Sequence, residues 1–134
     1  MVKIQVLVLD DEARVRDVMV DVLASAGYTV DAIASAAEAL DRFRELDPDL
    51  VLLDMMMPGV DGFEFLARLR AEPLSSRVPV LITSGLGGTL ARAIDPRSAE
   101  TLGIVGVLPK PVAFETMLEH VRRVVGPGAR AAAR

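Results

Sequence analysis

With 134 residues, 51% of them apolar and 25% charged, the chain can bury one two-sided core, is too short for two domains, and lacks the composition of disorder. Its net charge of -4 and pI near 5.0 lack the basic footprint that nucleic acid or an anionic membrane demands, so no direct nucleic-acid partner is expected. The absence of cysteine and the single histidine exclude disulfides, thiolate catalysis and metal sites built on several imidazoles.

The start, Met1-Val2-Lys3-Ile4-Gln5, passes straight into a strand pattern without a charged n-region and cleavage site. No apolar run approaches the ~18 residues of a membrane span, and the expectation is a cytoplasmic protein with no membrane insertion. Val6-Leu7-Val8-Leu9 is a short continuous apolar run, the pattern of a strand covered on both faces, and it ends on Asp10-Asp11-Glu12. Over residues 12–26, Val15, Val18, Met19, Val22, Leu23 and Ala26 recur on one helical stripe that Gly27 ends. Residues 28–34 are rich in strand formers. Ser35 then caps a helix with Glu38 three residues on, Leu40 and Phe43 face inward from it, and Asp47-Pro48-Asp49 stops it.

The run Val51-Leu52-Leu53-Asp54 is a buried strand that delivers a carboxylate to a sheet edge before Met55-Met56-Met57-Pro58-Gly59 opens a loop. A helix over about residues 62–71 follows. Val78-Pro79-Val80-Leu81-Ile82 is a fourth strand, ending on Thr83-Ser84. Between residues 85 and 103 the pattern weakens: three glycines (Gly85, Gly87, Gly88), a helical piece over about 89–94, a break at Pro96 and a further turn over 98–102. Gly106-Val107-Leu108 is a brief fifth strand before Pro109-Lys110-Pro111. Phe114, Met117, Leu118, Val121, Val124 and Val125 stripe a last helix over about 112–125. Gly126-Pro127-Gly128 ends it, so residues 1–125 read as the domain and 126–134 as a flexible tail or truncated linker.

Strands alternating with helices imply an α/β fold: a flavodoxin-like doubly wound parallel sheet of five strands in the order 2-1-3-4-5, with helices on both faces. Strands 1 and 3 are then neighbours at the switch point, where Asp10, Asp11 and Asp54 converge. Three carboxylates cannot sit together ionised without a cation, and oxygen-only ligands favour Mg²⁺ before Mn²⁺ or Ca²⁺. Strands 4 and 5 add Thr83, a hydroxyl donor, and Lys110, a fixed ammonium. A carboxylate nucleophile, a metal, a donor and a cation together are what an aspartyl phosphate needs, so the site looks built for phosphoryl transfer to Asp54.

The ordered set of Asp10-Asp11, Asp54 with Met57-Pro58 and Asp61-Gly62, Thr83-Ser84 and Lys110-Pro111 resembles the response-regulator receiver domain of two-component signalling, over residues 3–125. The resemblance implies Asp54 as phosphoacceptor, Asp10 and Asp11 as the acidic pair on Mg²⁺, and the Met56 carbonyl as a third protein ligand. It makes Thr83 the switching hydroxyl, Lys110 its paired cation, and Lys110-Pro111 a cis peptide. It implies a sensor histidine kinase or histidine phosphotransfer protein as donor, docking on the first helix beside Ala13, Asp17, Val20 and Ala24, and a downstream protein that the sequence does not name. Dimerisation through the fourth and fifth helices is left open.

Three departures from the family pattern carry expectations. Val107 stands where receivers usually carry Phe or Tyr, so no large aromatic gates the output face. The long interval from Thr83 to Lys110, with its glycines and Pro96, reads as a mobile output surface. Met56 and Gly85, two residues past Asp54 and Thr83, cannot orient an attacking water, so self-dephosphorylation is expected to be slow. His120, among Glu119, Arg122 and Arg123, reads as a solvated surface residue. A haloacid-dehalogenase-type phosphatase would need an Asp at position 56 as its acid/base, where Met56 stands. The chain therefore reads as a signalling module and not an enzyme, with a phosphorylation-independent, degenerate receiver as the alternative.

Overall fold

The computed structural model describes residues 3–57, 62–72, 77–85 and 94–128. Within them, β1 (Gln5–Leu9), β2 (Thr29–Ile33), β3 (Leu50–Asp54), β4 (Val80–Ser84) and β5 (Ile104–Pro109) form one sheet. The strands are parallel and ordered β2-β1-β3-β4-β5, as expected from the alternating pattern. The helices are α1 (Ala13–Ser25), α2 (Ala36–Leu46), α3 (Gly62–Ala71), α4 (Pro96–Leu102) and α5 (Phe114–Val125). Residues 58–61, 86–93 and 129–134, on which the expected loop, the glycine-rich helical piece and the expected tail fall, lie outside the described residues.

The alternation of a strand sorts the core into two. Leu7, Leu9, Val51, Leu53, Val80 and Ile82 face Ala39 and Phe43 of α2 and Phe65, Leu66 and Leu69 of α3. Val6, Val8, Leu50, Leu52 and Leu81 face Met19 and Leu23 of α1 and Met117 and Val121 of α5. Every residue of β3 and β4 is buried, which is why these strands read as unbroken apolar runs. Because the strands are parallel, the carboxyl ends of β1, β3, β4 and β5 lie at one edge.

Local chemistry ends the elements where it should. The Ser35 hydroxyl accepts from the Glu38 amide at 3.3 Å, while the Glu38 carboxylate turns to Arg42 at 3.2 Å, so the expected capping box closes on one side. Pro96 begins a helix, and the helical piece expected before it, over 89–94, falls almost wholly outside the described residues. Asp95 caps α4 by accepting from the Ser98 amide, and Pro96 occupies the first turn, where its missing N–H costs nothing. Gly103, at φ 72, ends α4 in the left-handed conformation. β5 is longer than the sequence suggested because Gly106 lies within it and not at its start. Val80 pairs with Ile104 and Leu81 with Gly106, leaving Val105 as a bulged, exposed residue. Beyond α5, Gly126 stays tied to the body: the Tyr28 hydroxyl donates to its carbonyl at 2.7 Å, and Gly128 is buried against Ala26 and Gly27.

Candidate functional site

The acidic pair follows directly from the end of β1. Asp10 keeps its amide on the Ile33 carbonyl at 3.3 Å, while its own Oδ1 accepts from the Glu12 amide at 2.9 Å, just before α1 begins. That bond fixes one carboxylate oxygen and turns the other, Oδ2, inward. Asp11 stays exposed beside it. Asp54 closes β3 and is only 2% exposed. Its Oδ1 accepts from the Met56 amide at 3.0 Å and its Oδ2 accepts from Lys110 Nζ at 3.0 Å.

Lys110 reaches this point from the end of β5, where its amide donates to the Ser84 carbonyl at 2.9 Å and its bond to Pro111 is cis. Besides Asp54, its ammonium meets Asp10 Oδ2 at 3.2 Å and Glu12 Oε1 at 3.9 Å. Burial pulls the Lys110 pKa down, but the hydrogen bond it donates to Asp54 and the charges of Asp10 and Asp54 outweigh it and hold the group above its ordinary value. The ammonium is therefore charged throughout the neutral range.

Carboxylate oxygens of Asp10, Asp11 and Asp54 all lie within 4.8 Å of one another. Asp10 Oδ2 is buried, and its contact with Lys110 lacks hydrogen-bond geometry, so it has no hydrogen-bond partner. A buried carboxylate oxygen left this way, in an oxygen-only cluster, fits a hard divalent cation. Thr83 stands directly across from Asp54 in the β3–β4 register and is buried. Above them Asp11, Glu12, Asp54, Met56, Gly85 and Lys110 line an open cavity of about 310 Å³.

Asp10, Asp11, Asp54, Met56, Thr83 and Lys110, all singled out in the sequence, thus meet at one edge. Val107 is half-buried and packs on the core shared by α2 and α3. His120 is not a free surface residue, since its ring lies over Gly106 of β5, within 3.5 Å of where a Cβ would stand. Two neighbours of the site escaped sequence reasoning. Arg16 Nη1 reaches back from α1 to donate to the Asp10 carbonyl at 2.8 Å, bracing the turn that carries both aspartates. Glu12 was legible only as the third acid in a row, and its approach to Lys110 appears once β1 and β5 are brought together.

The fold and the site define a class of protein, and comparison with known families agrees: the chain belongs to the response regulator receiver domain family, which matches residues 6–122. It is thus a receiver of the kind used in two-component signalling. Among solved structures it is similar to the chemotaxis protein CheY4 of Vibrio cholerae, at 28% identity and a TM-score of 0.81, covering 92% of this chain and 100% of that one. Among full-length relatives it is 32% identical to the DNA-binding dual master transcriptional regulator RpaA of Synechocystis, covering 90% of this chain and 48% of RpaA. It is 37% identical to protein-glutamate methylesterase/protein-glutamine glutaminase 5 of Myxococcus xanthus, covering 96% of this chain and 38% of that protein. The chain therefore spans half or less of these relatives, and their named activities do not transfer to it. Among the described residues no helix is long and apolar enough to cross a membrane.

Proposed function

We propose that Asp54 accepts a phosphoryl group from a phosphohistidine donor, a sensor histidine kinase or a histidine phosphotransfer protein, and that the resulting aspartyl phosphate changes the affinity of the domain for a downstream protein. The observation that carries this reading is Asp54 itself, a buried carboxylate at the floor of an open cavity, held at one oxygen by an amide and at the other by an ammonium. In the transfer, an Asp54 oxygen forms a bond to phosphorus while the P–N bond breaks and its electron pair leaves with the imidazole.

Asp10, Asp11, Asp54 and the Met56 carbonyl would hold Mg²⁺, whose chemistry there is to neutralise charge on the phosphoryl oxygens. Lys110 moves from pairing with the Asp54 carboxylate to pairing with the phosphoryl group, and the Thr83 hydroxyl donates to it from the adjacent strand. Donor docking falls to α1, where Ala13, Asp17 and Ala24 are exposed near the cavity mouth and along the same helix. Met56, 58% exposed, and Gly85 bring no polar side chain to the rim, so the adduct persists for minutes and not seconds. The unit is residues 1–125, with Gly126 and Gly128 held against it, and its chemistry acts on itself and has no turnover substrate.

Beryllofluoride mimics the bound phosphoryl group and tests this reading by fluorine NMR. Bound resonances should appear with Mg²⁺, be absent without it, and vanish in Asp54→Asn. Failure of the wild type to bind beryllofluoride at saturating Mg²⁺ would favour the alternative, a phosphorylation-independent interaction domain.

A further inference from the structure

Glu12 has no part in the chemistry just described, yet it stands at the mouth of the site. Its side chain is 62% exposed and its carboxylate lies 3.9 Å from Lys110 Nζ, near enough to act on the ammonium and too far to hydrogen-bond it. Asp10 and Asp54 are buried, so of the three carboxylates within 4.0 Å of Lys110 Nζ only that of Glu12 is exposed at the rim. The amide of Glu12 is pinned to Asp10 Oδ1 at 2.9 Å, which keeps the side chain on this rim. Three carboxylates, Asp10, Glu12 and Asp54, lie within 4.0 Å of one ammonium here, and Asp11 lines the same cavity. With a divalent cation bound, four negative charges stand against three positive, and Glu12 decides whether the mouth is net negative or neutral.

We infer that Glu12 is a charge filter on the phosphodonor: it disfavours small dianionic acyl phosphates relative to donors whose phosphoryl group arrives with less net negative charge, as in phosphoramidates. The inference rests on Asp54 being the phosphoacceptor. Asp54 attacks either donor in the same way. From acetyl phosphate the P–O bond breaks and acetate leaves with the electron pair; from zwitterionic phosphoramidate the P–N bond breaks and neutral ammonia leaves with it. The donors differ in approach, as a dianion and a monoanion. A unit charge about 8 Å from the phosphoryl group, in a largely aqueous mouth at low salt, changes the encounter by about threefold for the dianion and under about twofold for the monoanion.

The test measures phosphorylation rates by intact mass for wild type, Glu12→Gln and the charge-retaining Glu12→Asp, with both donors, at saturating Mg²⁺ and at low and high ionic strength. Glu12→Gln should speed the acetyl phosphate reaction about threefold and the phosphoramidate reaction under about twofold at low salt, with the gap closing near ~0.5 M salt. Glu12→Asp should keep the wild-type ratio. Equal effects on both donors, or a gap indifferent to salt, would overturn the filter while leaving Asp54 as acceptor. A wild type that takes no phosphoryl group from either donor would overturn both.

Discussion

At the scale of single residues, the site sets stability against function. Asp10, Asp11 and Asp54 share a few ångströms with one ammonium, so in the absence of a divalent cation their repulsion is only partly offset. Asp11, exposed and not paired with Lys110, contributes repulsion without a compensating bond. Asp11→Asn should therefore raise the stability of the metal-free protein by about 0.5–1 kcal/mol while weakening Mg²⁺ binding at least about tenfold. Urea denaturation and calorimetric titration measure the two effects, and a variant that is less stable and binds Mg²⁺ as well as wild type would contradict the account. Lys110 imposes no pH limit in the working range. Its pKa is raised in the folded protein, so the stability from its pairing is complete below the ordinary lysine value of about 10.4 and is lost only as pH climbs through the higher folded value.

At the scale of elements, the strands and the residues they deliver were legible because buried parallel strands announce themselves as apolar runs, and an acid or hydroxyl at the end of each run marks the working edge. What was not legible depends on partners remote in sequence or on a residue with two roles. Pro96 ends helices and also begins them, and Asp95 beside it was the signal that it begins one here. Gly106 looked like a boundary because glycine usually punctuates, whereas its close approach to Leu81 is what lets β5 pack through the bulge at Val105. The reach of Arg16 to the Asp10 carbonyl joins a helix to the turn before it and leaves no mark in composition. The join between α4 and β5 shows the same dependence. Gly103 is left-handed there, and Arg70 of α3 lies against it while donating to the Leu102 carbonyl at 2.7 Å. Gly103→Ala should cost about 1–2 kcal/mol from backbone strain, with a further loss as the Arg70 guanidinium is displaced. Denaturation of the variant checks this, and a change below about 0.5 kcal/mol would contradict it.

At the scale of the molecule, two apolar layers hold a parallel sheet whose carboxyl edge gathers residues that are far apart in the chain. Strand order brings Asp10 and Asp54 to 3.2 and 3.0 Å from Lys110 Nζ, since β1 lies beside β3 and β5 lies two strands from β3 across β4. We propose that this edge makes Asp54 a phosphoacceptor that works only with a divalent cation. The most direct measurement is the intact mass of wild type and Asp54→Asn after incubation with acetyl phosphate, with and without Mg²⁺, followed in time after the donor is removed. The wild type should gain a single phosphoryl group with Mg²⁺ only, decaying over minutes, and Asp54→Asn should gain none. An adduct that forms equally well without Mg²⁺, or that survives in Asp54→Asn, would contradict it.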